Sequence, residues 1–338
     1  MVVVLGADVH KKSHTFEAAD ANGRRLGGIT VPATAAGHEA AIRWARDAFG
    51  GRERLWGLED CRNMTVLLER DLLAAGERFV HVPTRLTARV RASARTRGKS
   101  DPIDALAVAR AVLREPDLPE ASPAGAAREL KLLTDRRDDL VAERTRAVNR
   151  LRWHLLELDP ARDPSRAEIA RPAVRAGLAQ WLGTLGGLVA ELAAEILADI
   201  DRLSAKVDAL AARIGAAVRA CAPALLAIPG CGPLSAAKIL GETAGITRFR
   251  SEACYAMFAG CAPIPVWSGN TAGRVRLNRG GNRQLNAALH RIAVTQTRLE
   301  GPGKDYYQRR RSTGDGTREA LRCLKRQIAK AVYRALRT

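Results

Sequence analysis

The rhythm of apolar and polar positions changes along the chain, and the changes divide it. Val2 to Leu5 is an unbroken apolar run, the pattern of a strand covered on both faces, and Asp8 falls just beyond it. His14 to Ala19 and Arg24 to Val31 read as two more strands joined through Asp20-Ala21-Asn22-Gly23, whose Asn-Gly pair favours a tight hairpin turn. A three-strand meander is the expected result. Helical periodicity runs from Ala35 to Phe49 and from Met64 to Ala75, with short strands at Arg54 to Leu58, ending at Glu59, and at Arg78 to Val82. Pro102 suits the first turn of a helix from Asp101 to Leu113, where the amide proton it lacks would have had no partner. Strands alternating with helices predict an α/β unit.

Beyond Pro116, Pro119 and Pro123, which mark a linker, the pattern turns helical. A long charged helix is expected from Ala126 to Leu158, with Leu130, Leu133, Leu140, Val148, Leu151 and Leu155 among its apolar positions. Pro160 and Pro172 bracket a break. Val189, Leu192, Ile196, Leu203, Val207, Leu210 and Ile214 then recur in threes and fours or their multiples, which is coiled-coil-like spacing. The two helices predict an antiparallel arm that either folds on itself or crosses to another subunit. Further helices are expected from Leu234 to Leu240 and from Arg283 to Thr297, each opened by a glycine-containing turn. The expected domains are 1–120, 121–218 and 219–338.

Composition changes the picture in one respect. Among 338 residues, Lys and Arg number 55 against 36 Asp and Glu, a formal charge of +19. Such an excess favours a polyanionic partner. It concentrates late: residues 221–338 hold 20 Lys and Arg against 6 Asp and Glu. The six cysteines form no CxxC pair, so neither a disulfide framework nor a zinc ribbon is indicated, and reduced thiols of a cytoplasmic protein are expected. The apolar opening is too short for a signal peptide, and no uncharged apolar stretch approaches the ~20 residues of a membrane span.

Candidate chemistry begins with four acids. Asp8 and Glu59 each close a predicted strand, whereas Asp101 and Asp104 stand three apart at the start of one helix and share a face. Ligands of open α/β sheets gather beyond the carboxyl ends of strands. Four carboxylates meeting there would repel one another unless divalent cations neutralised them, and hard oxygen donors suit magnesium or manganese. Taken singly, Asp101 reads equally well as a helix N-cap and Asp8 as a solvated strand end. Arg85, Arg89, Arg91, Arg95, Arg97 and Lys99 precede the acidic pair with no acid among them, and His10 and Lys11 follow Asp8; these are candidate phosphate contacts. Gly230 and Gly232, within Ile228-Pro229-Gly230-Cys231-Gly232-Pro233, resemble a helix-hairpin-helix turn, where backbone amides approach a phosphate at a helix N-terminus. Ser268, beside Gly269 and followed by Arg274, Arg276 and Arg279, is a candidate nucleophile with guanidinium donors nearby. No G-x-S-x-G elbow or His partner accompanies it, so a hydrolase triad is not indicated.

Gly6-Ala7-Asp8-Val9-His10-Lys11, Glu59, Lys99-Ser100-Asp101-Pro102-Ile103-Asp104-Ala105, Ile228-Pro229-Gly230, Ser268-Gly269 and Gly281-Asn282, in that order, resemble the "one-ten" insertion-sequence transposases, relatives of the pilin-gene invertases. The resemblance spans nearly the whole chain. It implies an α/β RuvC-like (RNase H-like) N-terminal domain, a long helical coiled-coil linker and a mainly helical C-terminal transposase domain. By motif position, Asp8, Glu59, Asp101 and Asp104 match a metal-binding quartet for Mg2+ or Mn2+, and Ser268 matches a serine that attacks the DNA phosphodiester. The resemblance also implies a composite site from two protomers, a dimeric or tetrameric homo-oligomer, donor and target DNA, and a structured non-coding bridge RNA. Arg279-Gly280-Gly281-Asn282 departs from the family's more usual single Gly-Asn after a basic residue. Two other readings stay open: a structure-selective junction nuclease using the same acids and water, and a non-enzymatic nucleic-acid-binding scaffold.

Overall fold

The computed structural model describes residues 2–59, 64–92, 100–115, 118, 120, 125–265, 275–276, 278 and 280–337, with the backbone alone at 85, 89, 91, 92, 275 and 276. Two compact units result, Met1–Pro123 and Ala124–Thr338.

In the first unit the meander forms as expected. Strands β1 (Val3–Val9), β2 (Ser13–Ala19) and β3 (Arg25–Pro32) pair antiparallel, while β4 (Arg54–Glu59) and β5 (Arg78–Val82) run parallel to β1. The sheet order is β3-β2-β1-β4-β5. This is a mixed α/β sheet with helices on both faces, as expected of the first unit. β1 runs further than its apolar stretch, because pairing with β2 continues through Asp8↔Thr15 and Val9↔His14. Asp8 therefore lies inside the strand, one residue before its end, and is buried.

Alternation along the central strands assigns each residue a layer. Val3, Leu5, Ala7 and Val9 of β1, with Trp56 and Leu58 of β4, pack under α1 (Ala35–Ala48) and α2 (Val66–Ala74). Val4 of β1, with Val80 and Val82 of β5, faces α4 (Asp101–Arg114) on the other side, near α3 (Thr84–Ala92). Gly6 and Gly57 are register partners on that second face. A Cβ on Gly6 would stand 2.1 Å from the Ala105 carbonyl oxygen and 2.4 Å from the Ala109 nitrogen; one on Gly57 would stand 2.6 Å from Val112 Cγ2. Two adjacent glycines thus cut a trough in the sheet, and the alanine-rich side of α4 sinks into it. Residues 84–92 form helix α3 rather than the loop that their charge density suggests.

In the second unit, α5 (Gly125–Leu158) and α8 (Leu188–Cys221) lie antiparallel. Leu130 packs with Ile214 and Val218, Leu140 with Leu203 and Val207, and Leu151 and Leu155 with Ala193 and Leu197. The arm folds on itself, so the seam is closed within the chain. The heptad reading also needs correction: Ala190 and Ala193 are buried in the seam, whereas Leu192 is 38% exposed. In an alanine-rich helix the small residues that face a partner helix leave little hydrophobic contrast. Short helices α6 (Arg166–Ile169) and α7 (Pro172–Leu182) cap the far end of the arm through Ile169, Leu178 and Leu182.

The near end of the arm is rooted in a helical bundle. Helices α9 (Pro223–Leu226), α10 (Pro233–Thr243) and α11 (Glu252–Phe258) precede a small hairpin, β6 (Ile264–Pro265) with β7 (Val275–Arg276), and α12 (Arg283–Gln296), α13 (Pro302–Ser312) and α14 (Thr317–Ala335) follow. Leu130 of α5 and Val218 of α8 share the core of this bundle with Tyr255, Leu289 and Ile328.

Candidate active site

Because side chains alternate on a strand, Asp8 follows Val4 and Gly6 on the α4 face of β1, and Glu59 follows Leu55 and Gly57 on the same face of β4. α4 begins beside them. Its N-cap is Ser100, with extended backbone (φ −151°, ψ 150°), so Asp101 is the first helical residue and not the cap. Neither Asp101 nor Asp104 is therefore needed for the cap itself, and the Asp104 amide donates to the Ser100 carbonyl at 3.0 Å.

His10 completes a cluster. Its Nε2 lies 3.2 Å from Asp8 Oδ2 and 3.5 Å from Asp101 Oδ1. One ligand atom from each of Asp8, His10 and Asp101 lies within 4.8 Å of the other two. Burial pushes the Asp8 carboxyl above its ordinary value; His10 pulls it down, and the charges of Asp104 and Asp101 push it up again. Repulsion among the acids is thus present but second to desolvation. Two carboxylates, one of them the buried, charge-averse Asp8, converge with an imidazole in a donor set that fits a divalent cation of the Mg2+ or Mn2+ type, the nitrogen being better suited to manganese. The sequence reads His10 as a phosphate contact; its place two residues after Asp8, one past the end of β1, is the signal for the site.

Glu59 is held separately. Thr87 Oγ1 of α3 donates to Glu59 Oε1 at 2.5 Å, and Thr87 is buried. The backbone of α3 carries Arg85, Arg89 and Arg91; Arg95, Arg97 and Lys99 lie outside the described residues. Lys11 is exposed just after β1.

Residues 5–160 match the family model of the DEDD transposase of the IS110 type, described as "Transposase", and residues 222–308 match the one described as "Transposase IS116/IS110/IS902 family". The 44.8 kDa protein of insertion element IS116 from Streptomyces clavuligerus is 28% identical, over 98% of this chain and 94% of its own length. The 42 kDa protein of insertion element IS900 from Mycobacterium paratuberculosis is 27% identical, over 99% and 96%. The chain belongs to the IS110/IS116/IS900 family of transposases. T. thermophilus RuvC in complex with Holliday junction substrate aligns with 34% of this chain and 95% of its own, at 14% identity and a TM-score of 0.28. The transposase is an enzyme that acts on DNA, and among its described residues no helix is long and apolar enough to cross a membrane.

In the second unit of the transposase, Ser268, Arg274 and Arg279 lie outside the described residues, and Arg276 is described only as backbone of β7. The root of their hairpin is well defined. Gly260 (φ 66°) and Gly281 (φ 92°) interlock: a Cβ on Gly281 would stand 2.6 Å from the Gly260 nitrogen, and the Asn282 amide donates to the Phe258 carbonyl at 2.7 Å. Gly281, the glycine directly before Asn282, is what this close approach requires. Asn282 caps α12 through the Leu285 amide, and its side-chain nitrogen donates to Glu242 Oε2 at 2.6 Å. Lys131 of α5 donates to the other Glu242 oxygen at 2.6 Å. Gly230 (φ 77°) and Gly232, the N-cap of α10, form the turn expected of them, and Gln296 fastens it by donating to the Pro229 carbonyl at 2.8 Å.

Proposed function

We propose that this transposase cuts and rejoins DNA through a serine-linked intermediate, with a divalent metal held by Asp8, Glu59, Asp101 and Asp104 and by His10. The convergence of Asp8, His10 and Asp101 within 4.8 Å carries the reading, together with membership of a transposase family. A divalent cation bound there supplies Lewis acidity, lowering the pKa of an attacking hydroxyl and taking up charge on phosphoryl oxygens. Asp8, Asp101 and His10 orient that chemistry, and Thr87 fixes Glu59 through its hydrogen bond.

The serine step conserves the bond energy that rejoining needs. The Ser268 oxygen bonds to phosphorus as the ester bond to one DNA strand breaks; the serine loses its proton and the leaving oxygen gains one. A DNA hydroxyl later reverses the exchange. Arg274, Arg276 and Arg279 balance charge on the pentavalent transition state. Arg85, Arg89, Arg91, Arg95, Arg97, Lys99 and Lys11, and the Gly230–Gly232 turn, serve as backbone contacts. The same reading includes a bridge RNA that pairs with donor and target DNA, a homo-oligomer, and domain limits near 120 and 218.

Covalent trapping tests it. Full-length protein incubated with Mn2+ and end-labelled substrate is expected to yield a protease-sensitive protein–DNA adduct. Ser268→Ala should form none while still binding DNA, and Asp8→Asn should form it about a thousandfold more slowly. Nicked DNA without adduct, at the parent rate in Ser268→Ala, would make the protein a hydrolytic nuclease instead.

A further inference from the structure

Lys325 of α14 is a buried cation with no carboxylate partner among the described residues. It is 9% exposed, and its ammonium donates to the Asn286 side-chain oxygen at 2.7 Å, a neutral partner that takes one of three protons. Other groups facing it add positive charge or none. Arg322 is exposed one turn back on α14, and His290, one turn along α12 from Asn286, is exposed as well. Arg326 reaches Glu252 only at 4.0 Å, and its Nη1 is buried without a hydrogen-bond partner among the described residues. Burial pushes the pKa of the nearby Cys261 thiol up, against the pull of Lys325 and Arg326. Burial pushes the Lys325 pKa down, Cys261 opposes the shift and the Arg322 charge adds to it, while burial and Lys325 lower that of His290.

A buried cation is ordinarily paired with an anion, because desolvating it alone is costly. The spare donors of Lys325 and the unpartnered Nη1 of Arg326, among further cations, mark a place for an anion that the described residues do not supply at hydrogen-bond distance. Its position is informative. Asn286, which holds Lys325, donates from its other end to the carbonyls of Ala259 at 2.8 Å and Gly260 at 3.1 Å, the root of the Ser268 hairpin.

We propose that Lys325, with Arg326, Arg322 and His290, seats a phosphate of a nucleic-acid backbone at the root of the serine hairpin. The inference rests on the proposed function for the nature of the anion, but not on Ser268 being the nucleophile. Asn286 couples the seat to the hairpin, so an occupied seat and an ordered root support each other.

Salt-dependent binding tests it. Full-length protein is titrated against a short duplex DNA and, separately, a hairpin RNA, between about 50 and 200 mM salt. Lys325→Met is expected to bind roughly tenfold more weakly at the low end and to flatten the slope of log affinity against log salt by about 0.9 for duplex DNA, with no fall in melting temperature. Arg322→Gln, an exposed change that cannot unfold the bundle, should flatten the slope likewise. Flattening with DNA alone assigns the phosphate to DNA, with RNA alone to RNA, and with both to either backbone. Unchanged slopes in Arg322→Gln and in folded Lys325→Met overturn the proposal, as does an unchanged slope in Arg322→Gln should Lys325→Met fail to fold. Ser268→Ala, run in parallel, should keep the parent slope and lose only the adduct, so either idea can fail without the other.

Discussion

At Gly6 one methyl group decides how close α4 can come to β1. A Cβ placed 2.1 Å from the Ala105 carbonyl oxygen meets backbone, which cannot swing aside as a side chain can. Gly6→Ala should therefore lift the start of α4 off the sheet and cost the first unit about 1–3 kcal/mol. Urea denaturation measures this directly, and an unchanged midpoint would mean that α4 is not seated in the glycine trough. His14 yields a pH dependence. It is 1% exposed, stacks on His38 at 5.1 Å, and burial with the His38 charge holds its pKa at about 4 against an ordinary 6.5. The folded chain thus binds fewer protons than the unfolded one in this window. Stability is complete above about pH 6.5 and is lost as pH falls toward 4, by about 2–3 kcal/mol from this residue. Denaturation at pH 7 and at pH 4.5 should show a larger loss in the parent than in His14→Phe; equal losses would place the acid sensitivity elsewhere.

Among the elements, the arm differs most from its sequence reading. Leu203 is 2% exposed and packs on Leu140 and Val207 of the same chain. Leu203→Glu should therefore unzip the arm in cis, with the roughly 3–5 kcal/mol loss typical of burying an unpaired charge, and leave the mass seen by light scattering unchanged. A lower mass with an intact arm would show that the seam also joins subunits. Arg175, 6% exposed, helps fasten the far end of the arm: it donates to Asp201 at 2.5 Å and to the carbonyls of Ile169 and Ala170. α14 is not among the expected helices, although Leu324, Ile328 and Val332 recur at helical spacing and all are buried.

For the whole molecule, charge and architecture separate. The first unit holds the acidic cluster on its sheet, and residues 221–338, with 20 Lys and Arg against 6 Asp and Glu, hold most of the excess positive charge in the second. Each unit has its own apolar core, so the acidic cluster and the β6–β7 hairpin are supported by independent packing.

The sequence alone determined the meander, the five strands, the two long helices, the basic balance and the order of the acids, because period, turn residues and charge are local properties that no distant contact can hide. It also carried the family resemblance, which the matches along residues 5–160 and 222–308 bear out. Four features were decided only by the tertiary structure. Asp8 entered the strand because β2 extended the pairing to it. His10 came within reach of both Asp8 and Asp101 because two glycines on neighbouring strands let α4 settle against the sheet. The arm closed on itself along Leu140, Leu203 and Val207, with Ala190 and Ala193, too weakly apolar to stand out in the pattern, joining the seam. Lys325 met Asn286 across 39 residues of chain. Each is a long-range contact, and its energy depends on which surfaces are buried together, which periodicity along one segment does not encode.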